Sequence, residues 1–506
     1  MLENKVHAGF ARAFGSLSMG VVLVIGVIFA LGKYIEQVRA APDSLFVKPG
    51  GSGGACSQAQ PCNLGTALAT AAPGDSLYLA GGDYTASGPA VMAISQDLAI
   101  YGGWDGTTQS PVRRNPVAYP SILDAQDSRR GVMIEGPATV TLEGVSVKNG
   151  FAEIGGAGLY SRNADLALRE VIFESNAVTK TDFTYGGGAL VWGGNVVVDG
   201  CRFVSNTADS IQASYGGGIV ISDTTSASVE NSTFYQNTTW WGSALTFLGA
   251  PGSYADLVVR NNDFLDHYAG YVGAVYVKDA NAVVAGNTIS GSRSANDYGA
   301  MAFYDSKVDM AQNTLTHNWG GRVSGVVLER VDPFTLTNNI IAGNESAYDW
   351  LRNPAVRISL SNGKFLNNTV AGNSGAYGIL LNGTSTVAFT NTILVSHTVG
   401  ISVTAGSSAT LEATLWGSGA WANGTDTGGA GSVVTGSTNY HDDPVFANPA
   451  GWNYHISSGS GAIDRGIDDG VPVDIDGDPR PQGAGYDIGA DEHFEGKVFL
   501  PIAMRQ

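Results

Sequence analysis

From Phe173 to Leu415 the chain repeats two kinds of short apolar segment, separated by turn residues. One kind runs VDGCRFVSN, VENSTFYQN, VRNNDFLDH, VAGNTISGS, MAQNTLTHN, LTNNIIAGN, FLNNTVAGN and FTNTILVSH: an apolar residue, two or three small or polar residues rich in Asn, an apolar residue, then a turn. Its second apolar position falls at Phe173, Phe203, Phe234, Phe264, Ile289, Leu315, Ile340, Val370, Ile393 and Leu415, on average about 27 residues apart. The other kind keeps step with it: GGGALVW, GGGIVIS, GSALTFL, GAVYVK, GAMAFY, SGVVLE, YGILLN and VGISVT. Each is a Gly turn followed by residues with the two-residue period of a strand.

Two or three such strands per repeat, with no helical period, cannot bury their apolar side alone. Stacking successive repeats about 4.8 Å apart does bury it. The pattern therefore predicts an all-β fold, a right-handed single-stranded parallel β-helix, the solenoid of pectate lyases. Twelve or thirteen turns would make a rod about 60 Å long. Asn at the same place in consecutive turns suits a tight or left-handed bend and can hydrogen-bond the Asn above and below. LGTALATAAPGDSLYLAGG (64–82) reads as a short helix, a turn and the first strand, the helix capping the open end of the stack. The organisation is a signal peptide or signal anchor over 1–40, a cap over 41–75, β-helix repeats over 76–420, a C-terminal region over 421–492 and a tail over 493–506.

Composition agrees. The 69 Gly among 506 residues follow no Gly-X-Y period and supply bends, and a net charge of −18 argues against nucleic-acid binding. Lys5 and Arg12 precede the apolar stretch LSMGVVLVIGVIFAL (17–31), an export signal that is either cleaved near Val38 and Ala40 or retained as a membrane anchor. Export suits a disulfide between Cys56 and Cys62, whereas Cys201, in VVVDGCRFVSN, reads as a small buried hydrophobe.

Gly187, Gly188, Ala189 and Leu190 resemble the GGA[ILV] tetrapeptide of chlamydial polymorphic outer-membrane proteins, a family of β-helical surface adhesins. Phe173/Asn176, Phe203/Asn206 and Phe234/Asn237 resemble their FxxN tetrapeptide, a match that fades where His267 replaces Asn. Residues 443–492, with DPVF, GSGAIDRG, DIDGDPRP and DIGADE, are similar to the choice-of-anchor Q domain that closes many bacterial surface β-helix proteins, with Gly461 where Pro is usual. These resemblances imply a β-helix displayed at the cell surface.

Chemistry is less explicit. The Gly-His-Gly and Arg-Ile-Lys signatures of polygalacturonases are missing. A calcium-dependent lyase would need carboxylates beside a basic residue on neighbouring turns. Asp263, Asp266, Asp279, Asp305 and Asp309 with Lys278, Lys307 and Arg260 are the candidates, set against a solvated polar face. Gly50–Gly54 matches G-x-S-x-G by chance in a Gly/Ser-rich loop, and His441-Asp442-Asp443 reads as a turn. Asp474, Asp476 and Asp478, alternating in DIDGDPR, either present carboxylates to calcium or form a hydrogen-bonded turn, which Asp487, Asp491 and Glu492 could complete. An aromatic residue at or just before the Gly turn recurs as Tyr185, Tyr215, Trp241, Tyr271, Tyr298, Trp319 and Tyr377. A column of such rings is either a surface on which sugars stack or packing within a corner. The sequence thus reads as an exported, non-enzymatic surface protein that binds glycans, cells or matrix along its long face, the alternative being a polysaccharide lyase or glycoside hydrolase of the same fold.

Overall fold

The computed structural model describes residues 43–180, 182–210, 212–346 and 353–494. The signal or anchor at 1–40 and nearly all of the 493–506 tail lie outside them. Among the described residues no helix is long and apolar enough to cross a membrane.

The chain coils into a parallel β-helix, on the right-handed path that parallel crossings take. Residues 187–215 illustrate one turn. Ala189–Trp192 lies in a 13-stranded sheet, here sheet 1; Val196–Asp199 and Arg202–Val204 are the two arms of a bent 28-stranded sheet 2; Thr207–Ser210 and Ala213–Tyr215 lie in a 10-stranded sheet 3. Each strand pairs in parallel with its equivalent one turn on: Ala189↔Ile219, Val198↔Val229, Phe203↔Phe234. Alternate residues of every arm enter one continuous core, in which Phe173, Phe203, Phe234 and Phe264 stack at 4.9, 4.7 and 5.0 Å. Burying each such ring contributes about 1.5–3 kcal/mol before entropy is counted.

Glycine is required at the corner that opens sheet 1. Gly186 has φ +61°, and a Cβ on Gly188 would stand 2.5 Å from the Gly218 carbonyl oxygen of the next turn. The bend between the two arms of sheet 2 is left-handed in turn after turn, at Gly200, Asn231, Asn261, Gly286, Gln312, Asn338, Asn367 and Asn391. The residue after the bend points inward and makes the ladder, so bend and ladder, expected of one Asn, belong to neighbours. Asn262, Asn287, Asn313, Asn339 and Asn368 are joined Nδ2 to Oδ1 at 3.0, 2.8, 2.9 and 2.9 Å, and each Nδ2 also donates to a backbone carbonyl of the preceding turn or its own. A second ladder runs through Asn176, Asn206 and Asn237, where the Nδ1 of His267 accepts from the Asn237 N–H in place of an amide oxygen. Burial holds the His267 imidazole far below its ordinary pKa, at about 3, so it is the neutral form that can accept.

The coil is longer than the 76–420 read from sequence. Ser44–Val47 pairs in register with Ser76–Leu79, so the first strand precedes the helix, and Ser432–Thr435 still pairs with Ser408–Leu411. The helix spans Leu64–Thr70; Asn63 caps it by accepting from Thr66 N–H, and Leu64 and Ala67 are buried in the core. Cys56 and Cys62 are disulfide-bonded just before it, and Cys201 is a buried free thiol.

Three register positions also differ from expectation. Leu315 pairs with Ile341, and Val370 with Leu394, so Ile341 and Leu394 continue the inner column; Ile340, Ile393 and Leu415, which pairs with Ile393, face outward. They are nonetheless buried, because the chain beyond Thr435 returns along the outside of sheet 2. Its hairpin, Phe446–Asn448 with Asn453–Ile456, and residues 462–490 form a second core with Ile340, Ala371, Ile393 and Leu415. The left-handed bend residues clasp this strap in reverse order. Asn391 Nδ2 donates to Ile467 O, Asn367 Nδ2 to the Asp469 carboxylate, Asn338 Nδ2 to Val473 O and Gln312 Nε2 to Asp474 O, at 2.7–2.8 Å.

Candidate functional site

The parallel register decides which of the sequence-predicted rings share a column. Tyr185 pairs with Tyr215 and Tyr215 with Trp241, but the bulge after Thr239 sets Trp241 opposite Val272; Tyr298 follows, then Val323. Tyr271 stands one residue out of that column yet still stacks on Trp241, 4.9 Å between centroids and 18° between planes. Trp319 pairs with Arg293 and Glu345 in a neighbouring row, and Tyr377 pairs in sheet 1 with Pro354 and Val399. The run brought together is thus Tyr185, Tyr215, Trp241 and Tyr271, at the seam of sheets 1 and 3.

Its geometry is that of a stack along the coil axis. Tyr185 and Tyr215 lie 5.5 Å apart and 8° from parallel, and Tyr215 and Trp241 6.3 Å and 22°. The ring faces stack on one another, and all four residues are half-buried. Sequence reasoning missed three members. Tyr276 touches Trp241 at 5.4 Å and Tyr304 at 5.7 Å, and Trp240 packs on Tyr271. The signal for Tyr276 and Tyr304 was present in the outward positions of VYVK and MAFY, the second and fourth of each strand. Burial raises the phenols of Tyr185 and Tyr215 and, more strongly, those of Tyr276 and Tyr304, so all four stay neutral donors rather than bases.

A chain of ion pairs adjoins the rings on sheet 1. Arg330 donates Nε and Nη2 to the two carboxylate oxygens of Asp305 at 2.5 and 3.1 Å and Nη1 to Glu329 at 2.8 Å; Glu329 also accepts from Arg357 at 2.8 Å, and Arg357 reaches the Tyr298 hydroxyl at 3.5 Å. The Arg330 hydrogen bond holds the Asp305 carboxyl below its ordinary range. Asp297 pairs with Arg322 at 3.0 Å, and burial raises its pKa against the pull of Arg322 and Arg357. Of the lyase candidates, Lys278, Asp279 and Asp305 follow one another along this edge of sheet 1; Arg260, Asp263, Lys307 and Asp309 lie on sheet 2, and Asp266 in the bend beyond it. Ser52 of the Gly-rich motif begins a short strand, Ser52–Ser57, and His441 pairs with Asp426.

In the strap, one carboxylate oxygen from each of Asp474, Asp476 and Asp478 lies within 4.8 Å of the others, and the same holds for the His455, Asp476 and Asp491 donor atoms. Asp474 is buried and forms a turn: Oδ1 accepts from the N–H groups of Asp476 and Asp478, and Oδ2 from that of Glu492. Arg480 and Glu492 form an ion pair at 2.7 Å with both side chains 0% exposed, and Arg480 also donates to the carbonyls of Asp487 and Gly489. Burial pushes the Asp487 and Asp491 carboxyls up to about 7.

No curated protein sequence matches the chain. Among solved structures it is similar to pectate lyase Pel9A, at 13% identity and a TM-score of 0.34, covering 90% of this chain and 97% of that one. It is also similar to tailspike protein 3 of bacteriophage CBA120, at 13% identity and a TM-score of 0.40, covering 78% of this chain and 61% of the tailspike. The family described as the right-handed beta helix region matches residues 121–289 and 251–415, together more than half of the sequence, with the repeated strands and ladders inside the matched span. The chain belongs to the right-handed β-helix family.

Proposed function

We propose that this is an exported β-helix protein, held at the cell surface, that binds glycans along the seam of sheets 1 and 3 without transforming them. The observation that carries the reading is the run Tyr185, Tyr215, Trp241 and Tyr271, half-buried and continued through Tyr276 and Tyr304 to the Asp305–Arg330–Glu329–Arg357 chain. Ring edges and phenol hydroxyls offer an apolar flank with polar tips, the combination that suits a sugar. The arginines of that chain are engaged with carboxylates and the phenols are held neutral, an arrangement that favours holding a ligand over abstracting its proton. Export rests on the apolar segment at 17–31 and fits the Cys56–Cys62 disulfide; the strap, similar to a choice-of-anchor domain, is the proposed surface module. The Leu64–Thr70 helix is proposed to shield the first turn.

The test is binding of the purified full chain to a polysaccharide panel, followed by tryptophan fluorescence. Tyr215→Ala and Trp241→Ala should each weaken binding at least fivefold while leaving the melting transition cooperative. Undiminished binding would sink the seam as the site. Unsaturated products or new reducing ends from acidic polysaccharides would overturn the non-enzymatic reading.

A further inference from the structure

His455, Asp476 and Asp491 come from three separate stretches of the strap: the second strand of the hairpin, the DIDGDPR turn and the DIGADE end. One donor atom of each lies within 4.8 Å of the others. From this juxtaposition we infer a divalent transition-metal site, of the zinc or manganese kind, that staples the hairpin to the returning strap. It goes beyond the glycan reading and uses none of its residues.

Three details support a built site. Asp491 is 2% exposed; its Oδ2 accepts from Ile456 N–H at 2.8 Å, while Oδ1 is buried with no hydrogen-bond partner. A buried carboxylate oxygen left unsatisfied costs several kcal/mol unless a cation or donor meets it. Next, the His455 ring is oriented from behind: Nδ1 lies 2.7 Å from Asn453 Oδ1, which fixes the N–H there and turns Nε2 toward Asp476 at 3.4 Å. A hydrogen-bonded far nitrogen is the usual support of a metal-binding imidazole. Finally, Asp491 forms the floor and Asp476, exposed, the mouth, so an ion has a way in. The alternative trio is less suited, because both oxygens of Asp474 are taken by backbone N–H groups. An imidazole with two carboxylates suits zinc or manganese better than calcium, which prefers oxygen alone. Contraction of the donors by under about 1 Å would bring them to bonding distance.

The test is calorimetric titration of the chelator-stripped full chain with Zn²⁺, Mn²⁺ and Ca²⁺, with Co²⁺ as a spectroscopic probe. The expected result is one Zn²⁺ per chain, a raised melting temperature, and visible Co²⁺ bands that vanish in His455→Gln. His455→Gln and Asp491→Asn should each weaken Zn²⁺ at least tenfold, and Asn453→Ala about tenfold through the freed ring. Near-ultraviolet circular dichroism checks that the variants are folded; if His455→Gln is not, Asn453→Ala and the Co²⁺ spectrum of the unaltered chain decide. No saturable Zn²⁺, Zn²⁺ binding indifferent to the folded variants, or Ca²⁺ binding that survives His455→Gln would each overturn the proposal.

Discussion

Sheet 2 presents the same kind of arm in two settings. In Arg202–Val204, Thr233–Tyr235 and Asp263–Leu265 only the central Phe is buried, and its neighbours face solvent. In Ile340–Ala342 and Thr369–Ala371 all three residues are buried, the central one by the coil and its neighbours by the strap. The inner face is built alike in both; the outer face turns apolar where something lies on it. An arm covered on both sides loses its alternation, as strands buried on both faces do. Ile340 and Ile393 therefore look like inner residues in sequence although they point outward.

That contrast can be broken first at the buried pair that holds the strap. Arg480→Met leaves Glu492 without its cation at a fully buried site and should cost about 3–5 kcal/mol. Limited proteolysis should then cut within 440–492 while the coil resists, and cleavage spread evenly over the chain would show that strap and coil fold as one unit. Asn313→Leu, under the strap, and Asn262→Leu, in the open part, remove equivalent amides of the same ladder and strand their neighbours' groups. Each should lower stability by about 2–4 kcal/mol in denaturant melts, and a large gap between them would contradict the common inner face. On the outer face the two settings should part. Ile340→Ala should cost about 2–4 kcal/mol, whereas Tyr235→Ala, exposed, should stay within about 0.5 kcal/mol.

The smallest effect at neutral pH concerns His267. Its folded pKa of about 3 lies below the ordinary 6.5, so between those values the unfolded chain binds the proton that the folded chain refuses. Its share of stability is complete above about pH 6.5 and is lost as pH falls toward 3. His267→Asn, which restores an amide to the ladder, should leave stability at pH 7.5 nearly unchanged and flatten the melting-temperature decline between pH 6.5 and 4. An unchanged slope would move that acid sensitivity elsewhere, with His397, pushed down to about 4, the next to test.

The repeat period and the first core columns were legible because each turn repeats the same inward choices: Phe203, Phe234 and Phe264 stand one above another and are fully buried. The strap's fold-back was not, since its anchors, Ile467, Val473 and Asp474, act through backbone carbonyls that carry no side-chain signature. The ring column was half legible. Distance from a glycine places Tyr185, Tyr215 and Trp241 together, but one bulge shifts Tyr271 out of line, and a bulge leaves no mark in a list of aromatic positions. In the strap, His455 went unread because only the hairpin carries it to Asp476 and Asp491, 21 and 36 positions away in sequence.

The amide ladder also sets where this molecule can change size. Every rung in it passes the same hydrogen bond forward, so a whole turn copied between Asn176 and Asn237 would find the donor and acceptor it needs on either side. Beyond Gln312 that freedom ends. There the strap grips four successive bends at Ile467, Asp469, Val473 and Asp474, and one added turn would leave a bend ungripped and carry the rest about 4.8 Å out of step. Growth by duplication is thus open to the first part of the coil, while the last part is measured against a fixed length of its own chain.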